Sequence, residues 1–233
     1  MAVSIDTVYQ RVLALANKEQ RGYITPQEFN TFANQAQLEI VEQYLYDINQ
    51  FNRLNGNDTN YSDMIDLIED KLSVLEEFVH QTVANGGVDG DGKTILPANL
   101  LKLGKVLQNN IAADQVTYQE AIHLTRPTGQ LITPTSNTPI YTLIKNEIQL
   151  YGWTGECKYT YIRRPNIVSW GYIVISDKAM HDPNNTIDFE LHSLEETELV
   201  YKILTLAGIT LKRPDLSSTG AALLQTKVQQ EKI

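Results

Sequence analysis

The stretch Thr25-Pro26-Gln27-Glu28 marks the start of a long helix. Threonine is a favoured N-cap, proline fits the first helical position, and a glutamate three residues after the cap completes a capping box. Apolar residues then recur about every 3.6 positions as far as Asn49. We therefore predict one amphipathic helix of about 37 Å, at a rise of ~1.5 Å per residue.

A second helix start with a similar pattern lies near the other end of the chain. In Ser193-Leu194-Glu195-Glu196, the serine and the second glutamate have the same spacing as Thr25 and Glu28. We predict that this capping box opens a helix from Leu194 to about residue 207, ended by Gly208. Apolar periodicity predicts three further helices, over residues 5–17, 63–84 and 217–230.

The middle of the chain has the alternation and turn signals of short strands. Residues 158–163 show the cleanest alternation, with Tyr159 and Tyr161 on one face. The runs 140–144 and 147–151 predict a hairpin through Lys145-Asn146. Other strands are predicted to begin at residue 94 and to cover residues 103–108, 121–125 and 172–175.

The order of these elements predicts an α+β fold. N-terminal helices, including one long helix, precede a small and mostly antiparallel β-sheet region, and helices return at the C-terminus. We expect one structural domain with an arm. Its parts are a helical region (1–92), a β-rich region (93–187), a helix that packs back on the helical region (188–213) and a C-terminal arm (214–233).

Composition favours a soluble globular protein. Of the 233 residues, 42% are hydrophobic and 20% charged, which is ordinary for this class. The net charge of −9 argues against a general DNA coat, which would carry clustered lysine and arginine. Cys157 is the single cysteine, so no intrachain disulfide is possible. We expect no signal peptide, no membrane helix and folding in a reducing cytoplasm.

Candidate catalytic and metal sites are weak. Asp89-Gly90-Asp91-Gly92 begins like a calcium loop, but a glycine stands at the fourth position and Leu100 at the twelfth, where a glutamate is required. The histidines, at positions 80, 123, 181 and 192, have no ligand spacing. We expect Cys157 to be a small buried side chain. No catalytic, cofactor-binding or metal-binding residue is predicted, and no enzyme.

The densest basic stretch is Arg163-Arg164-Pro165, flanked by Tyr159 and Tyr161 and followed by Trp170. Arginine and aromatic residues are enriched at protein interfaces. The same mixture can also stack on nucleic-acid bases. A third interpretation is a strand end with one exposed arginine and with the aromatic side chains in the core.

Several motifs resemble structural proteins of tailed bacteriophages, especially the crAss-like group. In chain order they are GYITPQEF (22–29) with FANQAQLEI (32–40), ILP (95–97), YIRRP (161–165) with Trp170, and FELHSLEETELV (189–200). The layout is also similar to podoviral head–tail adaptors of the tail tubular protein A kind, in which helices surround a small sheet. Residues 98–157 contain little that matches.

The resemblance implies a ring protein of the virion neck, assembled in the host cytoplasm. About twelve copies would dock below the portal, contact neighbouring neck or tail proteins and enclose genomic DNA without reading its sequence. Such adaptors often insert a terminal segment into the portal, and here residues 214–233 are the candidate. We expect this arm to be disordered in the free protomer. The interface residues that we predict are Arg163, Arg164, Trp170, Leu216, Leu224 and Val228.

Two other functions stay open at this point. The first is a different virion component, such as a tail-hub or capsid accessory protein. The second is a phage-encoded enzyme, such as a wall hydrolase or nuclease, which would need a convergent cluster of carboxylates or histidines.

Overall fold

The fold is described from a computed structural model, in which the chain forms two compact units. The helical unit combines Met1–Leu75 with Pro165–Ile233, and the sheet unit is Glu76–Arg164. The predicted α+β class, with a long N-terminal helix, central sheets and C-terminal helices, is confirmed. The structure describes residues 3–16, 24–51, 59–83, 87–126, 133–152, 155–176, 178–210 and 214–231.

The helices of this described part are α1 (Ile5–Ala16), α2 (Pro26–Phe51), α3 (Thr59–Leu72), α4 (Tyr118–Leu124), α5 (Glu196–Thr210) and α6 (Pro214–Glu231). Its strands are β1 (Glu76–Thr82), β2 (Lys93–Ile95), β3 (Leu100–Gln108), β4 (Ile111–Ala112), β5 (Asp114–Gln115), β6 (Ile140–Ile144), β7 (Glu147–Tyr151), β8 (Glu156–Arg163), β9 (Tyr172–Ile175) and β10 (Lys178–His181).

Helix α2 is the long helix of the helical unit. Its predicted capping box is confirmed, because the Thr25 N–H donates to Glu28 Oε2 at 3.0 Å and the Glu28 N–H donates to Thr25 Oγ1 at 3.3 Å. Helix α5 packs against α1 and α2. The fully buried side chains of these three helices include Ile5, Val8, Val12, Phe29, Ile40, Val41, Leu199 and Ile203.

Three amide side chains of α2 hold an extended segment, residues 166–170. We call Asn30, Asn34 and Gln37 the amide ladder. Asn34 binds both backbone groups of Val168, at 2.8 and 2.9 Å, and Asn30 binds both groups of Trp170, at 2.8 and 3.4 Å. Gln37 donates to the Asn166 carbonyl at 2.9 Å and accepts from the Glu190 N–H at 3.1 Å.

The amide ladder can bind this extended segment because its three side chains are spaced along the helix axis much like alternate residues of an extended chain. Positions i, i+4 and i+7 lie on one helix face, about 6 and 4.5 Å apart along the axis. Alternate residues of an extended chain are about 6.6 Å apart. The side chains therefore satisfy backbone groups that would otherwise require a neighbouring strand.

The described residues of the sheet unit form two four-stranded sheets, ordered β1-β8-β3-β4 and β2-β7-β6-β5. The β5–β6 pair is parallel, and the other pairs are antiparallel. The predicted β6–β7 hairpin is confirmed with the predicted bounds. The alternation of β8 is confirmed too, since its buried face carries Cys157, Tyr159 and Tyr161.

Two predicted elements of this region are wrong. The helix predicted over 63–84 ends at Leu72, and β1 begins at Glu76 after one 3-10 turn. All seven residues of β1 pair with β8, and this long-range pairing outweighs the local helical pattern. Residues 121–125, predicted as a strand, lie in and just after α4, which starts at a capping box of Thr117 and Glu120.

The predicted start and end of the late helix are also wrong. Ser193 lies inside a 3-10 turn, and His192 caps that turn by accepting from the Leu194 N–H. The two glutamates make ion pairs instead of a capping box: Glu195 with Lys71 at 2.9 Å and Glu196 with Arg11 at 2.8 Å. Helix α5 continues past Gly208 to Thr210, since packing of its buried face outweighs the local stop signal.

The units also divide the chain differently from the predicted regions. The sheet unit begins at Glu76 instead of residue 93 and ends at Arg164 instead of residue 187. The predicted arm is largely helix α6, which packs along α5. Gly220 is buried there, and a Cβ at this position would lie 2.4 Å from Thr205 Oγ1. In the structure, α6 is thus part of the helical unit.

Candidate interaction surface

Strands β9 and β10 form a two-stranded hairpin in the helical unit, separate from both sheets of the sheet unit. The pairs run from Tyr172 with His181 at the base to Ile175 with Lys178 at the tip. Paired residues of an antiparallel hairpin share a face, and successive pairs alternate between faces. Tyr172, Val174, Ala179 and His181 therefore share one face, and Ile173, Ile175, Lys178 and Met180 share the other.

The base of the hairpin is fixed on Trp170. The Tyr172 and His181 rings stack on the indole, with centroids 6.0 and 5.5 Å away and interplanar angles of 17° and 19°. The indole is buried, contacts Tyr9 at a centroid distance of 4.2 Å and donates from Nε1 to Asp6 Oδ1 at 2.9 Å. The same Trp170 backbone is bound by Asn30 of the amide ladder.

The junction between Trp170 and β9 requires glycine. A Cβ on Gly171 would lie 2.7 Å from the Asn185 carbonyl oxygen and 2.8 Å from that of Asp182, both main-chain atoms. The buried Asp182 side chain fixes the opposite side by accepting from the Asn184 N–H at 3.1 Å and from Asn185 Nδ2 at 2.7 Å. The hairpin thus leaves the core at a defined angle.

Beyond this base, the hairpin exposes large apolar side chains. On one face, Ile173, Ile175 and Met180 are 53%, 54% and 55% exposed, and we call these three residues the hairpin face. Val174, on the other face, is 61% exposed. Contiguous exposed apolar groups on a fixed element are typical of protein contact surfaces.

The structure distributes the predicted interface residues over different environments. Arg163 is 16% exposed in its side chain, and its Nε lies 2.9 Å from Glu77 Oε1. The Tyr161 hydroxyl donates to the other oxygen of the same carboxylate. Arg164 is exposed, and its N–H donates to the Asn99 carbonyl at 2.7 Å. Arg163 is therefore largely held inside the sheet unit, whereas Arg164 is exposed to solvent.

The remaining predicted residues belong to the helical unit. Trp170 is 2% exposed, so it anchors the hairpin from the core and offers no surface of its own. Leu224 of α6 is half-buried. The side chains of Leu216 and Val228 lie outside the described residues.

The candidate reactive and metal-binding residues elsewhere in the chain are buried or take part in interactions that stabilise the fold. Burial raises the pKa of the Cys157 thiol to about 12, so the thiolate nucleophile is suppressed at neutral pH. Asp89–Gly92 forms a turn in which the Gly92 N–H donates to the Asp89 carbonyl at 2.9 Å. His80 Nε2 lies 3.1 Å from Glu156 Oε2, and hydrogen bonds from His80 and Lys158 lower the pKa of Glu156. Within the described ranges, no three His, Cys, Asp or Glu side chains converge as metal ligands.

Sequence reasoning missed the hairpin face. The run Tyr172-Ile173-Val174-Ile175 predicts a strand, but an uninterrupted apolar run usually indicates burial on both faces. One available signal was the brevity of the run, followed at once by Ser176-Asp177-Lys178, which is typical of an isolated hairpin turn.

The chain matches no protein-family model and no curated protein sequence. Among the described helices, none combines the length and apolar character needed to cross a bilayer.

Proposed function

We propose that this protein is a non-catalytic structural component of a phage virion, a head–tail connector subunit that forms a ring below the portal. The neck position comes from the resemblance of the motifs at 22–40, 95–97, 161–170 and 189–200 to phage structural proteins. The DNA channel, the portal and the adjoining neck or tail proteins are the partners that this role implies.

The hairpin face is the observation that carries the assembly role. It presents three apolar side chains, each more than half exposed, on an element fixed by aromatic stacking and main-chain packing. Ring subunits associate through two different surfaces of each protomer, in head-to-tail order. A rigid protruding apolar element suits one of these surfaces, because little conformational freedom is lost when it binds.

The charge of the chain supports a channel role. At −9, the protomer would surround the genome with a negative wall, which repels the phosphate backbone and lets the duplex slide. Cofactors play no part in this proposal.

Negative-stain imaging of the purified protein, alone and after mixing with the portal of the same phage, tests the proposal. We expect rings of about twelve copies, or rings that form only on the portal. A trimer would favour a fibre or capsid accessory role. A monomer indifferent to the portal would overturn the neck assignment and reopen the search for an enzyme.

A further inference from the structure

The sheet unit has an exposed strand that carries apolar and acidic side chains together. Strand β1 is the edge of its sheet and pairs with β8 on one side. Glu77 and Val79 share the buried face with Tyr161 and Tyr159, so Glu76 and Phe78 lie on the outer face. Glu76 is exposed, and Phe78 is 60% exposed.

Strand β10 is likewise an edge strand, and its pattern is the complement of the β1 pattern. Lys178 precedes Met180 by two positions and lies on the same side of the hairpin as the hairpin face, just as Glu76 precedes Phe78 on the outer face of β1. If the two strands are aligned in parallel, Lys178 lies beside Glu76 and Met180 lies beside Phe78. Opposite charges and large apolar side chains are both favourable cross-strand neighbours.

We propose that β10 of one copy adds in parallel to the outer edge of β1, at residues 76–78, in the next copy. This inference rests on the proposed ring assembly and identifies its subunit contact. Edge strands present unpaired N–H and C=O groups that another strand can satisfy. The two edges belong to different units of the protomer, so each copy offers one of each, and the contact is heterologous, as a ring requires.

A second copy is the occupant that the charges favour. Lys178 gives β10 an exposed positive charge, whereas the chain as a whole has a net charge of −9. The β1 edge of the same chain supplies an acidic residue at the matching position, beside an exposed aromatic side chain. On this outer face the Glu156 carboxylate of β8, opposite Thr82, lies 3.1 Å from His80 Nε2, four residues further along the strand than Phe78.

Disulfide trapping tests this register. In the experiment, Phe78→Cys and Met180→Cys single variants of the full chain, one carrying a heavy-isotope label, are mixed and oxidised mildly. Neighbouring strand residues lie within the Cα separation of about 4.4–6.8 Å that a disulfide requires. We expect the mixed, half-labelled dimer to exceed both homodimers at least about tenfold, and the double variant to form a covalent ladder that stops at the ring size. Cys157 is fully buried and gives a low background.

The matched control replaces Met180→Cys by Val174→Cys, which is similarly exposed but lies on the opposite face and the other strand. Linkage to Phe78→Cys no faster than in this control, or an intramolecular disulfide in the double variant, would overturn the inference. If wild-type rings form under the same conditions without this linkage, the contact fails and the ring proposal stands. If no assembly forms with or without portal, both fail.

Charge reversal gives a second readout on intact assemblies. Lys178→Glu and Glu76→Lys should each weaken subunit association about two- to fivefold, and the double reversal should restore it, because a cross-strand ion pair contributes modestly. The absence of rescue in the double variant would contradict the parallel register even if both single variants assemble poorly.

Discussion

The two units of this protein satisfy their backbone groups in different ways. The sheet unit is one continuous segment, and its main-chain groups pair strand to strand. The helical unit is built from both ends of the chain, and there side chains supply the partners, since Asn34 and Gln37 bind backbone groups more than a hundred positions away. A long helix with regularly placed amides can therefore replace a neighbouring strand.

The cores differ as well. The helical unit buries an ion pair, Lys71 with Glu195, and the lysine ammonium lies 5.2 Å from the centre of the Tyr44 ring. The sheet unit buries aliphatic and aromatic side chains around Cys157. Each unit has its own reporter: in a Trp153→Phe background Trp170 is the single tryptophan and reports on the helical unit, while the Cys157 thiol reports on the sheet unit.

The largest expected effect comes from breaking the buried ion pair. Lys71→Met leaves the Glu195 carboxylate, which has no exposed surface, without its cation. We expect a loss of about 3–5 kcal/mol in the free energy of unfolding, whereas Lys71→Met with Glu195→Leu should recover most of it. Denaturation followed by Trp170 fluorescence measures both. A Lys71→Met variant as stable as wild type would show that the pair contributes little.

The amide ladder comes next. Asn34→Ala removes both partners of the Val168 backbone, and each unpaired main-chain group costs about 1–3 kcal/mol. We expect a loss of about 3 kcal/mol. Gln35→Ala, one residue along and exposed, should change stability by less than about 0.5 kcal/mol. Equal effects of the two substitutions would mean that the ladder is not the tether of residues 166–170.

High pH should lower the stability of the sheet unit, which buries the Cys157 thiol. In the unfolded chain the Cys157 thiol ionises above a pH of about 8.5, whereas in the folded chain burial raises its pKa to about 12. Between these values the folded state holds more protons, so the free energy of unfolding falls as pH rises, by up to about 1.4 kcal/mol per pH unit. Burial and the Glu77 carboxylate also raise the pKa of Tyr161, to about 12.

Denaturant titrations from pH 8 to pH 11, followed by circular dichroism because the variant lacks the thiol reporter, measure this slope. The Cys157→Ala variant should show a shallower decline than wild type, because only Tyr161 and the other weak acids then titrate. Identical slopes for the two proteins would contradict the burial of the thiol.

The smallest expected loss of stability comes from removing a helix N-cap, and each unit has one of the same kind. Thr25 and Thr117 each accept from the N–H of a glutamate three residues later, at 3.3 Å. Replacing either threonine by alanine should cost about 1 kcal/mol, and serine should retain most of the stability. We expect Thr25→Ala to shift the Trp170 transition and Thr117→Ala to accelerate Cys157 labelling. The reverse assignment would contradict the division into units.

Features set by neighbouring residues were predictable from sequence. The Thr25 capping box, the β6–β7 hairpin and the inward face of β8 each depend on a few adjacent positions, and all three are confirmed. The α+β order of elements follows from the same local patterns. Residues 76–82, by contrast, carry a helical pattern but form a strand. The strand is stabilised by pairing with β8, which lies about 80 positions later, and no local pattern indicates that pairing.

Interactions between distant residues were not predictable. Glu195 and Glu196 resemble the acidic end of a capping box, but in the folded chain they form ion pairs with Lys71 and Arg11. The basic and aromatic residues 163–170 look like one surface, yet Trp170 is buried and Arg163 pairs with Glu77. The surface that we propose for assembly is the hairpin face. Its exposure depends on which strands stay unpaired, and that is a property of the whole fold.

The most direct test of the structural role is the native mass of the wild-type protein beside an Ile173→Asp/Met180→Asp variant, each alone and mixed with portal. Both substituted side chains are more than half exposed, so the variant should fold normally. We predict rings of about twelve copies, or portal-bound rings, for wild type and monomers for the variant. Wild type that stays monomeric with portal, or a variant that assembles as well as wild type, would contradict assembly through the hairpin.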